Sequence, residues 1–389
     1  MSNICLLIIL LSVYSIVGTV IIILDKYLNK ENFSHSFLLN LLMFFAEIFA
    51  LPLYYYLSHR GKKNQIKNLE EDKERSEEEI EMNLTLCQIS FLILPCLLDS
   101  VATFLINICI IFFSSILFFM IKGILLILFT FIISRCFIKN KHTWDHYFSI
   151  LIAVIGFIFF GISGDFKSRN IALGIGTLFI AMICQSIQLS FEEYYMIRYH
   201  VHPFLCVGIE GIFGFILNLI LCIIFYYIKC SENFILLDFC TKDNNNIYRV
   251  ENAIYAFEQL NNNKILILVL VLFIFLIPFN IIGISITKYG GALTKRLIEN
   301  FKSPLSWLFF LIPFDGDLKE NFDIWKLIGF FIILGSLLIY FGILRIEERI
   351  MIRRKLKSLN NMDDLSGGII NASKADASFS SESLDKLGE

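Results

Sequence analysis

Residues Gly290 to Trp307 read GGALTKRLIENFKSPLSW, which sets Lys295, Arg296, Glu299 and Lys302 inside a run otherwise apolar enough to cross a membrane. An ionisable side chain at bilayer depth costs roughly 2.5–3.5 kcal/mol on insertion scales, so it needs a partner, a water-filled cavity or a substrate. The first half of the chain carries a matching arrangement. Lys122 is followed by Trp144 after 22 residues and by Gly161 after 39, while Lys302 is followed by Trp325 after 23 and by Gly342 after 40. Phe160-Gly161-Ile162 answers Phe341-Gly342-Ile343. We read an internal duplication with one buried cation in each half; chance matching between Phe- and Ile-rich runs is the alternative.

Composition sets the class. Across 389 residues, 57% are hydrophobic and 17% charged, with a mean hydropathy of +0.70, too apolar for a soluble globule of this size. The chain reads as an all-α integral membrane protein whose constant partner is the lipid bilayer. A net charge of −2, with basic residues in short clusters beside apolar runs, leaves no nucleic-acid footprint. The ten cysteines fall mostly in apolar segments, as small buried hydrophobes do. Six scattered histidines without a His-Glu-x-x-His motif, and a single loop dipeptide Gly164-Asp165, argue against an intramembrane enzyme and give no metal or cofactor site.

Apolar runs predict ten spans. Ile4–Leu24 has no basic leader and no cleavage pattern, so it reads as a first helix rather than a signal peptide. Phe37–Leu57 is the second, with Glu47 near its middle. From Leu86 to Phe137 the chain stays apolar for about fifty residues, ~75 Å as one helix, and so must fold back; the mark is Ser114-Ser115. Asp99 and Asn107 then lie on the third helix and Lys122 on the fourth. The fifth covers Thr143–Ile162. The sixth, Ile171–Tyr194, carries Gln185 and Gln188 and ends in Glu192-Glu193; the seventh opens at His202-Pro203 and holds Glu210. The eighth, Ile265–Thr287, carries Asn280, and the ninth and tenth cover Ala292–Ile312 and Asp323–Leu344. The organisation expected is a first five-helix repeat at 1–163 with an acidic insertion at 58–85, a second at 164–345 with a loop at 229–264, and a disordered tail at 346–389. Within the loop, Ile247, Val250, Ile254, Phe257 and Leu260 recur at helical spacing and suit a membrane surface.

Loops on the side of both termini hold 19 Lys and Arg against 10 on the other, which places the termini in the cytosol. Five spans per half then invert one repeat relative to the other, the plan of secondary transporters that bind near the midplane. Lys122 and Lys302 both come out ~13–16 Å deep. Two such cations suit an anionic or phosphate-bearing solute, whereas pairing with Asp99, Glu47 or Glu299 is the structural alternative.

Several stretches, HPFLCVGIEGIFGF (202–215), GISITKYGGALTKRLIENF (283–301), LLDSVATFL (97–105), MIKG (120–123) and SFEEYY (190–195), resemble the F subgroup of solute-carrier family 35, within the drug/metabolite transporter superfamily. The resemblance runs from the first helix to the tenth. It implies ten helices in two inverted five-helix repeats and alternating access. Lysine stands at 122 and 302 where relatives often show arginine, and Pro304 and the acidic insertion are departures.

The function expected is a secondary-active carrier of a small organic solute, anionic or nucleotide-bearing, across a vacuolar, lysosomal, Golgi or ER membrane, by exchange or with protons. A non-transporting receptor of the same fold and a carrier of cationic amphiphiles or peptides are the alternatives, and a homodimer stays open. Candidate substrate contacts are Lys122, Lys302, Asp99, Asn107, Gln188 and Asn280. Glu47, Glu210, Glu299, Lys295 and Arg296 are candidates for coupling or ion pairing. Cys230 and Cys240, ten apart in a segment facing an oxidising compartment, are a disulfide candidate.

Overall fold

The computed structural model describes residues 2–33, 35–69, 86–110, 112–138, 144–162, 164, 171–230, 240–242, 248–312 and 320–341. The tail expected at 346–389 and residues 70–85 of the acidic insertion lie outside them. The described residues are helical apart from one antiparallel pair of two-residue strands. Its helices are α1 (Ser2–Lys30), α2 (Ser36–Ile48), α3 (Ala50–Leu69), α4 (Leu86–Ser90), α5 (Ile93–Ile110), α6 (Ser115–Ile138), α7 (Trp144–Gly161), α8 (Ile171–Arg198), α9 (Pro203–Tyr227), α10 (Ala253–Gln259), α11 (Asn263–Gly290), α12 (Ala292–Phe310) and α13 (Ile324–Tyr340). Strands β1 (Thr241–Lys242) and β2 (Tyr248–Arg249) pair antiparallel ahead of α10.

Among the described residues, eight helical segments are long and apolar enough to cross a membrane, α2 running into α3 and α4 into α5 as single spans. They make this a multi-pass membrane protein. Two further helices are weaker by that measure for visible reasons: α12 carries four charges in 19 residues, and α13 has 17 residues. Outward faces are apolar stripes at helical spacing. On α9 Ile216, Ile220 and Ile223 are exposed, and on α11 Ile267, Leu270 and Ile274; such a belt is at home in hydrocarbon and costly in water.

The inward contacts are helix on helix. α5 and α6 both pack on α8, α11 and α12 both pack on α1, α2 packs on α9 and α11, α9 on α5, and α6 on α12. The α2–α9 seam is set by small residues, because without a hydrophobic drive between helices close approach is what holds them. A Cβ added at Gly211 would stand 2.7 Å from the Glu47 Cβ and 2.9 Å from the Phe44 carbonyl oxygen, and one at Gly214 2.1 Å from Phe44 Cδ1. The same seam is tied by amides: Asn40 Nδ2 donates to Asn218 Oδ1 at 3.0 Å, and Asn218 Nδ2 donates to Ser100 Oγ of α5 at 3.0 Å.

Helix starts follow local chemistry. His202 caps α9 by accepting from the Phe204 amide, and Pro203 takes the first turn, where its missing N–H has no helical partner to lose. α12 begins after Gly291, whose φ of +89° excludes most side chains. Glu193 Oε2 accepts the Ala292 amide at 2.7 Å, a carboxylate placed on the positive end of α12.

Beyond α9 a disulfide joins Cys230 and Cys240. Arg249 donates to the Tyr226 carbonyl at 2.7 Å and lies 4.1 Å over its ring. On α10, Ile254 and Phe257 point outward while Ala256 is buried; Ile247 lies outside the described residues. Glu320 bridges α1 and α13, contacting Lys26 at 2.7 Å and Lys326 at 3.1 Å. Among the described residues, 144–149 and 338–341 belong to a second unit, in which the His146 and Tyr340 rings meet edge to face at 4.7 Å.

Candidate functional site

Where α1, α2, α5, α8, α9, α11 and α12 face one another lies a cavity of about 160 Å³. It occupies the half of the bundle where α8 and α11 end and α9 and α12 begin. Each helix brings a polar group into an otherwise apolar stripe. Asp99 comes from α5, Glu210 from α9 and Asn280 from α11, while α8 contributes Gln185, Gln188 and Glu192. Gly211 lets α9 lie close enough to α2 for Glu47 to reach the same space. Tyr14 of α1 is 1% exposed and stacks on Phe279 of α11, ring centroids 4.5 Å apart.

The charged stretch of α12 is bound up in one network. Arg296, 5% exposed, donates from Nη1 to Glu299 Oε2 at 2.7 Å and from Nη2 to the Gln185 carbonyl at 2.9 Å. Lys302 Nζ reaches Glu299 Oε1 at 3.4 Å and lies 4.9 Å over the Phe279 ring. Its stem passes α1 so closely that a Cβ at Gly18 would come within 3.2 Å of Lys302 Cδ. Lys295 lines the cavity, its Cε 3.2 Å from where a Gly283 Cβ would stand. This network satisfies some groups and leaves others unpartnered. Tyr14 Oη, Glu47 Oε2, Asp99 Oδ2, Gln185 Oε1 and Arg296 Nε are buried with no hydrogen-bond partner.

Of the residues singled out from the sequence, Glu47, Asp99, Gln188, Glu210, Asn280, Lys295, Arg296 and Glu299 share this wall. Lys302, Lys122 and Asn107 are not part of it. Lys302 sits behind the wall on Glu299. Lys122 lies on α6, 5.6 Å from the Phe118 ring, with Lys302, Glu299, Arg296 and Asp99 the charges acting on it. Asn107 leaves its Nδ2 unpartnered away from the cavity. Tyr14 and Glu192 were not singled out. Glu192-Glu193 reads as the charged end of a helix, yet α8 runs on to Arg198 and carries Glu192 inward. A lone tyrosine in an apolar run gives no signal of its own.

Fold and cavity together define a multi-pass helical membrane protein with a charged internal chamber. The chain is a distant homologue of solute carrier family 35 member F6. It is 26% identical to the Rattus norvegicus protein over 324 residues, covering 81% of this chain and 80% of that one. To the Homo sapiens protein it is 26% identical over 348 residues, 87% of each chain. An uncharacterized Schizosaccharomyces pombe protein is 24% identical over 257 residues, 66% of this chain and 75% of that one. No protein-family model matches. One protein of solved crystal structure aligns with a TM-score of 0.49 at 12% identity, over 84% of this chain and 97% of that one, too slight to carry an argument.

Proposed function

We propose that this chain is a secondary-active transporter that moves a small organic solute across an internal membrane by alternating access. The observation that carries the reading is the buried polar cavity, where carboxylates from both halves of a lipid-facing bundle meet the two cations of α12; buried charge of this kind is retained for substrates and ions. A second feature supports the architecture. Exchanging α1, α2, α5, α6 and α7 for α8, α9, α11, α12 and α13 turns the pairs α5–α8, α6–α8 and α5–α9 into α11–α1, α12–α1 and α11–α2, and returns α2–α9 and α6–α12 to themselves. Two five-helix repeats related by a twofold axis have this property, and with an odd number of spans per repeat that axis lies in the membrane plane. Counting α12 and α13 as spans gives ten, with both termini in the cytosol by the distribution of Lys and Arg.

Lys122 and Lys302 are mates under the same exchange, on the self-paired helices α6 and α12. In this reading Lys302 acts by holding Glu299, and Lys122 by its charge behind the wall. Uptake into proteoliposomes made with the full chain tests the function: Lys122→Ala and Lys302→Ala are expected to abolish carriage with the protein still folded, and Cys136→Ala, on the exposed side of α6, to leave it unchanged. A receptor of the same fold would bind its ligand and carry nothing.

A further inference from the structure

The chemistry of the cavity wall narrows what fits inside it. Five carboxylates face the space, from Glu47, Asp99, Glu192, Glu210 and Glu299, against two cations, Lys295 and Arg296. Arg296 and Glu299 are engaged with each other at 2.7 Å, and the second amino group of Arg296 is taken by the Gln185 carbonyl. That leaves Lys295 opposite four carboxylates. The unpartnered atoms point the same way. Glu47 Oε2 and Asp99 Oδ2 belong to side chains each 7% exposed, and Gln185 Oε1 and Tyr14 Oη stand beside them in the wall without partners. Carboxylate and amide oxygens only accept, and a phenol does either. Among these buried unpartnered atoms of the wall, Arg296 Nε is the one that can only donate.

An anion placed here sets acceptors against acceptors. With the single ammonium of Lys295 facing four carboxylates, the wall is short of compact, positively charged N–H donors. A buried acceptor left unpaired carries the full desolvation penalty of that group, larger when charged, so supplying such a donor is strongly favoured.

We infer that the solute of this cavity carries an ammonium group, alone or as one end of a zwitterion, donating to Glu47 of α2 and Asp99 of α5. In a zwitterion the anionic end falls to Lys295. The inference rests on the transporter reading for the claim that this solute is carried across the membrane. It departs from the expectation of an anionic substrate because Lys122 and Lys302, the basis of that expectation, stand outside the wall.

The test uses the full-length protein. Melting shifts in detergent and uptake into proteoliposomes are measured with ethanolamine, putrescine and lysine, and in parallel with glycerol 3-phosphate and UMP. At least one ammonium probe is expected to raise the melting temperature and the phosphate esters to leave it alone, with Asp99→Asn and Glu47→Gln each weakening the ammonium probe at least tenfold. Wild-type protein gives a check that needs no variant: choline, which has no N–H, is expected to bind at least tenfold more weakly than ethanolamine. Stabilisation and carriage of a phosphate ester, lost in Lys295→Met, overturns the inference and leaves the transporter reading standing. Binding of an ammonium probe without uptake does the reverse. If neither set shifts the melting temperature, the ammonium assignment falls.

Discussion

Replacing Arg296 by methionine removes the guanidinium that fastens α12 to α8 and leaves Glu299 facing the cavity. Two hydrogen bonds to this cation are lost, at 2.7 Å to Glu299 and 2.9 Å to the Gln185 carbonyl. A bond involving a charged group contributes about 1.5–3 kcal/mol, so the pair sums to about 3–6 kcal/mol. Lys302, 3.4 Å from the other carboxylate oxygen, still compensates part of the stranded charge, which places the loss near the lower end, about 3 kcal/mol. At roughly 2 °C per kcal/mol for a large domain, the melting temperature of the detergent-purified protein falls by on the order of 6 °C. Adding Glu299→Gln to Arg296→Met removes the stranded carboxylate and recovers about 1–2 kcal/mol, because much of the cost of breaking a buried pair is the unpaired partner. Thermal unfolding of Arg296→Met and of the double variant, followed by size-exclusion chromatography, reads both values. A drop below about 2 °C for Arg296→Met, or no recovery in the double variant, refutes the picture of α12 anchored through this network.

Gly211→Ala puts a methyl group 2.7 Å from the Glu47 Cβ and 2.9 Å from a backbone oxygen, so α2 and α9 must separate; a loss of about 1–3 kcal/mol, read as lowered melting temperature, is expected. Burial alone raises the carboxyl pKa of Glu320, but its hydrogen bond to Lys26 and the charges of Lys26 and Lys326 outweigh this and hold it below the usual range. A depressed folded value means that the contribution is present above the unfolded carboxylate pKa and is lost as pH falls through the folded one. Glu320→Gln is therefore expected to melt below wild type at neutral pH, with the gap closing on acidification; a gap constant with pH counts against it. Cys230 and Cys240 are expected to resist alkylation until a reductant is added, and equal labelling without reductant would show free thiols.

Much of the cavity is legible in the sequence because charge in an apolar run is expensive and therefore conspicuous. Lys295, Arg296 and Glu299 stand out for that reason, as do Glu47, Asp99 and Glu210, one per helix. What hydropathy does not carry is direction. Lys302 lies three residues after Glu299 and turns back onto it, over Phe279, so it braces the wall instead of lining it. Lys122 is as deep by residue count, yet α6 presents it beside Phe118. Tyr14 stayed hidden because an aromatic in a Phe- and Tyr-rich chain carries no contrast; only the fold shows its hydroxyl buried and unpartnered. Glu192 was masked by Glu193. The two adjacent acids look like one charged helix end, and in the fold they part, one into the cavity and one onto the start of α12.

The grip of Arg296 on α8 closes on the backbone oxygen of residue 185 and not on its side chain. Every amino acid brings that oxygen, so the anchor tolerates nearly any replacement at 185 that keeps the helix. The Gln185 side chain meanwhile forms part of the wall, its Oε1 without a hydrogen-bond partner. Position 185 is thus free to drift without loosening the bundle, and each drift reshapes the chamber. Under the proposed transport function, divergence in what the chamber accepts has a ready route there, and a saturation library at this one position is the place to look for it.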